Sequence, residues 1–157
     1  MKIFFYSSQG GHFNEAMMLI DRIVNEFPDI TIITFNSPEM KGIKIKNDLL
    51  AKVPGSGGSI ITALLSGVLN APRILVNLLK ERPDVAISTG SGELAIPALV
   101  MAKWFGIKTI YIETWTRVRE PSTAGKVLYY FSDVFLVQWP DLLPRFGRKA
   151  RYLGGLL

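Results

Sequence analysis

One histidine, one strand-end glutamate and three glycine-bearing or polar loops hold the chemistry open to this chain of 157 residues. His12 is the only histidine, and it closes the run Ser7-Ser8-Gln9-Gly10-Gly11-His12 where a loop passes into a helix. An imidazole titrates near neutrality and can take a proton from an attacking hydroxyl. A helix-capping or core histidine is the other reading of that position. Gly10 and Gly11 let the backbone approach a ligand closely, and the helix behind them offers free N–H groups and a positive dipole end to phosphate. Thr89-Gly90-Ser91-Gly92-Glu93 is a second loop of the same kind. Contact with a ligand through Gly90, Ser91 and Gly92 and tight packing of a turn both account for its small residues. The third loop, Glu113-Thr114-Trp115-Thr116-Arg117-Val118-Arg119, directly follows an apolar run. Glu113 is expected to face a crevice there, as a base or as the group that orients an acceptor hydroxyl. Arg117 and Arg119 suit a diphosphate or form an ordinary exposed pair. Trp115 is the candidate for acceptor contact, whereas Trp104 and Trp139 read as core or interface residues.

The absences narrow the field. With no cysteine and one histidine, neither a disulfide framework nor a zinc site of the usual kinds is available. The first loop lacks the G-x-G-x-x-G fingerprint and the Lys-Ser/Thr of a P-loop, so no nicotinamide and no other cofactor is expected. A formal charge of +5 favours an anionic partner: nucleic acid, a bilayer surface or a phosphorylated small molecule. The basic residues are scattered and lack a stacking motif, which speaks against nucleic acid.

The elements that must position these loops follow from the apolar periodicity. Residues 2–6 form an apolar run that ends in the first loop, as buried parallel strands do. Phe13, Ala16, Met17, Ile20, Ile23, Val24 and Phe27 then recur at helical spacing, with Glu15, Asp21, Arg22 and Glu26 on the other face, and Pro28 stops the helix. Strands are expected at 30–35, 84–88, 108–112, 133–137 and 151–153. Helices are expected at 60–79, 94–105, after Pro121 at its first turn, and briefly at 140–146. The stretch 36–59 is poorly periodic and reads as a loop with one short strand at 49–53. Alternating elements of these lengths make a doubly wound parallel sheet of about six or seven strands, Rossmann-like α/β, in one domain over residues 1–157.

The helix at 60–79 is apolar almost all round and is expected to bend at Pro72. It is too polar and broken to span a bilayer, which takes about 20 apolar residues. A buried helix or protein interface is one reading. Shallow insertion into a membrane is the other, with Lys41, Lys44, Lys46, Lys52, Arg73, Lys80 and Arg82 nearby for anionic lipid. No secretory leader is visible, because Ser7 interrupts the opening apolar run.

Taken in order, Ser8-Gln9-Gly10-Gly11-His12, Ser88-Thr89-Gly90-Ser91-Gly92, Tyr111-Ile112-Glu113-Thr114-Trp115-Thr116-Arg117, residues 122–129 and Val137-Gln138-Trp139 resemble a known family. It is the membrane-associated subunit of the two-part UDP-N-acetylglucosamine transferase of dolichol-linked oligosaccharide assembly, with related subunits in capsule and exopolysaccharide synthesis. The glycine-histidine loop is also similar to that of the peptidoglycan N-acetylglucosaminyltransferase. The resemblance implies the amino-terminal half of a split GT-B glycosyltransferase, inactive alone. It would bind a polyprenyl-diphosphate-linked acceptor at the cytoplasmic face of the cell membrane, and a separate donor-binding subunit would join it. Gly10, Gly11 and His12 would line the crevice, with Glu113 and Arg117 beside them, and the base would be His12 or Glu113. A pure recruiting scaffold is the alternative. Two departures stand out: the first strand begins without the usual amino-terminal anchor, and the loop reads Ser-Gln-Gly-Gly where Gly-Ser-Gly-Gly is usual. Attachment to the membrane would then rest on the 60–79 helix or on a partner.

Overall fold

The computed structural model describes residues 1–7, 11–34, 60–90 and 92–156. The strand expected at 49–53, the loop around it and Lys41, Lys44, Lys46 and Lys52 lie outside the described residues.

Among the described residues, six short strands, β1 (Lys2–Phe5), β2 (Thr31–Thr34), β3 (Val85–Ser88), β4 (Lys108–Ile112), β5 (Val134–Val137) and β6 (Ala150–Tyr152), alternate with helices. They form one parallel sheet in the order β2-β1-β3-β4-β5-β6. The class and strand number agree with the expectation. Both faces are covered, which is why the strands read as apolar runs rather than alternating ones. Along β1 the pleat sends Ile3 and Phe5 to one face, Phe4 and Tyr6 to the other. α1 (Gly11–Glu26) covers the first face through Ala16 and Ile20. α2 (Ile60–Glu81), α3 (Gly92–Trp104) and α4 (Thr123–Phe131) cover the second, joined by Leu142 from a 3₁₀ turn at Pro140–Arg145.

Two expectations change in detail. α4 begins at Thr123, not Pro121, because the Ser122 side chain accepts from Gly125 N at 2.8 Å and caps the helix. α2 includes Pro72 within one element, and it is not wholly buried. Gly67, Asn70, Ile74, Asn77 and Leu78 face inward, with Gly67 against Pro97 of α3, while Ile61, Leu65, Val68, Leu69, Val76 and Leu79 are exposed. Those six recur at helical spacing, so they form an outward apolar stripe. The chain's end also has a defined place. Leu156 is buried, its N–H donates to Gln138 Oε1 at 3.2 Å, and its carbonyl accepts from Arg22 of α1 at 3.0 Å.

The sheet order puts β2 on one side of β1 and β3 on the other. The loops leaving β1 and β3 therefore run in opposite directions, and a crevice opens between them at the strands' carboxyl ends.

Candidate functional site

That crevice holds His12. The residue lies in the first turn of α1, and its side chain is 31% exposed. It is clasped to the loop after β3 by two reciprocal bonds: Nδ1 lies 3.2 Å from Thr89 O, and Thr89 Oγ1 donates to His12 O at 2.8 Å. A carbonyl can only accept, so Nδ1 carries the hydrogen and Nε2 is left as the basic nitrogen. Gly90 makes room for the ring. It adopts φ +123°, and a Cβ there would collide with the imidazole. Below, Ser88 Oγ lies 2.5 Å from Tyr6 O and 2.8 Å from Gly90 O, tying the two loops at their roots.

The sequence loops thus come together in part. His12 and Gly90 are in contact, and Gly11 and Gly92 open α1 and α3. Gly10 and Ser91 lie outside the described residues.

Glu113 is fully buried rather than open to the crevice. Its Oε1 accepts from Thr114 N at 3.1 Å and from the Tyr111 hydroxyl at 3.4 Å, while Oε2 accepts from Ser122 N at 3.2 Å. Gly125 leaves the space for it, since a Cβ there would strike Oε2. The carboxyl therefore sits at the amino end of α4, where the helix dipole favours negative charge. Gln138 Nε2 donates to Glu113 O at 3.0 Å, so the same residue binds both this loop and the chain's last residues. Burial, with the nearby Glu113 charge, holds the Tyr111 hydroxyl neutral, well above its ordinary range. Trp115 is half-buried, with its carbonyl accepting from Trp139 Nε1 at 2.6 Å, and Arg117 is exposed.

Glu15 is the residue that the periodicity misassigns. It was expected on the outer face of α1 with Asp21, Arg22 and Glu26, yet it is fully buried. The first turn of α1 runs beneath the loop after β4. There, Glu15 Oε1 accepts from Thr114 Oγ1 at 2.6 Å and from Trp115 N at 2.9 Å. Its Oε2 lies 4.0 Å from His12 Nδ1 and has no hydrogen-bond partner among the described residues. Burial pushes this carboxyl above its usual range, against the pull of Thr114, Trp115 and His12, and the Glu113 charge adds to the rise. The available signal was the His12-x-x-Glu15 spacing, which puts the two on adjacent turns of one face.

Known proteins share this frame. The mouse (Mus musculus) UDP-N-acetylglucosamine transferase subunit ALG14 is 27% identical, over 100% of this chain and 83% of that protein. The Schizosaccharomyces pombe subunit alg14 is 41% identical over 46% of this chain and 36% of that protein. Among solved structures, Acinetobacter baumannii MurG superposes with a TM-score of 0.71 at 13% identity, covering 98% of this chain and 45% of that one. A UDP-GlcNAc 2-epimerase from Methanocaldococcus jannaschii gives 0.69 at 16% identity, covering 99% and 46%. The chain thus spans about half the length of these solved chains and shares their fold, the Rossmann-like half expected for a GT-B architecture. Residues 2–156 match the family described as "Oligosaccharide biosynthesis protein Alg14 like", and the chain belongs to that family.

Proposed function

We propose that this chain, as one Rossmann-like domain over residues 1–157, is the acceptor-side subunit of a two-subunit UDP-N-acetylglucosamine transferase. The observation that carries the reading is His12, clasped over Gly90 at the sheet's switch point with Nδ1 turned to a carbonyl oxygen, which leaves Nε2 as the nitrogen able to accept a proton. The relatives' designation as transferase subunits supports it. So does the superposition on about half of MurG, which gives this chain the fold of one half of a transferase.

In this reading His12 Nε2 takes the proton of the acceptor hydroxyl as that oxygen bonds to the sugar's anomeric carbon. The bond from that carbon to the UDP phosphate oxygen breaks, and UDP leaves with its electron pair on the partner's side. Glu113 shapes the acceptor side by fixing the loop that bears Trp115 and Arg117, because its own oxygens are already engaged by Thr114, Tyr111 and Ser122. Gly10, Gly11, Gly90, Ser91 and Gly92 let backbone amides approach the acceptor's diphosphate. Trp115 and Arg117 contact the acceptor itself.

No helix among the described residues is long and apolar enough to cross a membrane. The exposed stripe on α2 instead supports peripheral docking on the cytoplasmic face of the cell membrane, where the lipid-linked acceptor is held.

The test is transfer from UDP-N-acetylglucosamine to a polyprenyl-diphosphate-linked acceptor, with this chain alone and with its candidate donor-binding partner. Activity is expected only in the mixture, and His12→Ala is expected to lower it by about 10²–10⁴-fold. Activity from the chain alone overturns the split-enzyme reading. Full activity of the His12→Ala complex makes the chain a recruiting scaffold.

A further inference from the structure

Glu15 has no part in the reaction just described, yet it is an expensive group to keep. Its carboxyl is sealed from solvent, and one of its oxygens has no hydrogen-bond partner among the described residues. A buried carboxylate in that state is destabilising unless an opposite charge stands by. The group able to bring that charge is His12, 4.0 Å away on the preceding turn of α1. His12 gains it when Nε2 takes up a proton, because Nδ1 keeps its own hydrogen toward Thr89 O.

We propose that Glu15 is a positioning residue for His12: its Oε2 favours the imidazolium formed during proton transfer, and its Oε1 locks that pair to the acceptor loop. The proposal rests on the reading of His12 as the base. Two geometric facts carry it. Oε2 faces the ring nitrogen that stays protonated in both states, so the attraction needs no rearrangement when charge appears. Oε1 is held by Thr114 Oγ1 and Trp115 N from a loop about 100 residues away, so the carboxylate stays in place.

Among the described residues, the other groups that face the pair do not supply a cation. Glu113, at the end of β4, acts on Glu15 as a like charge, and the Tyr111 hydroxyl is kept neutral by burial. Thr114 and Trp115 give neutral donors, and Thr89 a neutral acceptor.

Glu15→Gln separates charge from architecture, because its amide oxygen still accepts from Thr114 and Trp115. The imidazole of His12 is titrated by NMR in the full chain without partner or substrates. The midpoint is expected lower in Glu15→Gln than in wild type, in the direction set by losing a nearby anion. In the assembled transferase, the acid limb of the kcat/KM profile moves down by the same interval. An unmoved midpoint overturns the proposal whether or not the chain is a transferase subunit. A lowered midpoint with an unmoved rate profile upholds the pairing and removes His12 as the base. Should Glu15→Gln fail to fold, His12→Ala gives the reciprocal reading at a partly exposed position. There the Glu15 carboxyl titrates higher than in wild type, and no rise overturns the pairing.

Discussion

At Gly90 a missing methyl group decides where the only imidazole can lie. The backbone there is at φ +123°, and the space of a Cβ is occupied by the His12 ring. Gly90→Ala must both strain the backbone and push the ring out of its clasp. We expect a loss of about 1–3 kcal/mol in folding stability, read from urea midpoints. We also expect a fall of about 100-fold or more in the assembled transferase, because a displaced base loses its reach. The same substitution at Gly11, whose Cβ would meet nothing within 4 Å, serves as the control for the stability loss alone. At this scale the sequence told half of the story. A histidine after paired glycines reads either as chemistry or as a helix-capping or core residue, and the sequence leaves both open. Glu15 was hidden, because a charged residue among Asp21, Arg22 and Glu26 reads as a solvated face. Only the loop arriving from β4 buries it. Glu113 was read as open to the crevice for a related reason: strand-end carboxylates face outward unless a following helix takes them, and α4 does.

The elements themselves were legible wherever burial on both sheet faces made the strands apolar, and where a full helical face was available. The start of α4 was displaced by two residues because a serine cap outranks a proline that merely tolerates a first turn. Ser122 holds that end twice: its side chain caps the helix, and its N–H meets Glu113. Ser122→Ala should cost about 1 kcal/mol, seen as a lower urea midpoint with unchanged slope. The amino ends of β4 and β5 have their own anchor. Asp133 accepts from Thr109 N at 2.9 Å and Thr109 Oγ1 at 3.0 Å, and pairs with Lys103. Partial burial pushes this carboxyl up, but Lys103 and Thr109 pull it further down, to about 2 from an ordinary 3.8. A lowered folded pKa means the contribution is complete above about pH 4 and drains as pH falls toward 2. Asp133→Asn should therefore lose about 1–2 kcal/mol at pH 7, with the gap to wild type closing between about pH 4 and pH 2.

At the scale of the whole molecule, the helices among the described residues are unequally shared, three on one face of the sheet and one on the other. The outer side of the larger layer carries the apolar stripe of α2, where Ile61 and Val68 are more than two-thirds exposed. Single exposed leucines are ordinary, but a run along one helix is not. The triple variant Leu65→Asp, Val68→Asp, Val76→Asp should keep its melting temperature within a few degrees, since none of these side chains supports the core. Its retention on vesicles of mixed anionic and zwitterionic lipid should fall by about tenfold or more. Retention equal to wild type, with the partner subunit lost instead, would assign the stripe to that partner. The stripe's outward direction was beyond the reach of periodicity, because a helix apolar nearly all round does not declare which side its neighbours leave bare. One feature of the site also bears on the order in which the molecule forms. The His12–Thr89 clasp joins residues 77 apart, and the Glu15–Thr114 bond joins residues 99 apart. Contacts of such separation close large loops and are slow to gain. A nascent chain can build β1, α1 and β2 early, but its imidazole has no seat until β3 docks and no anchored carboxylate until β4 follows. Loosening either junction would erase the site while leaving most of the helix content intact.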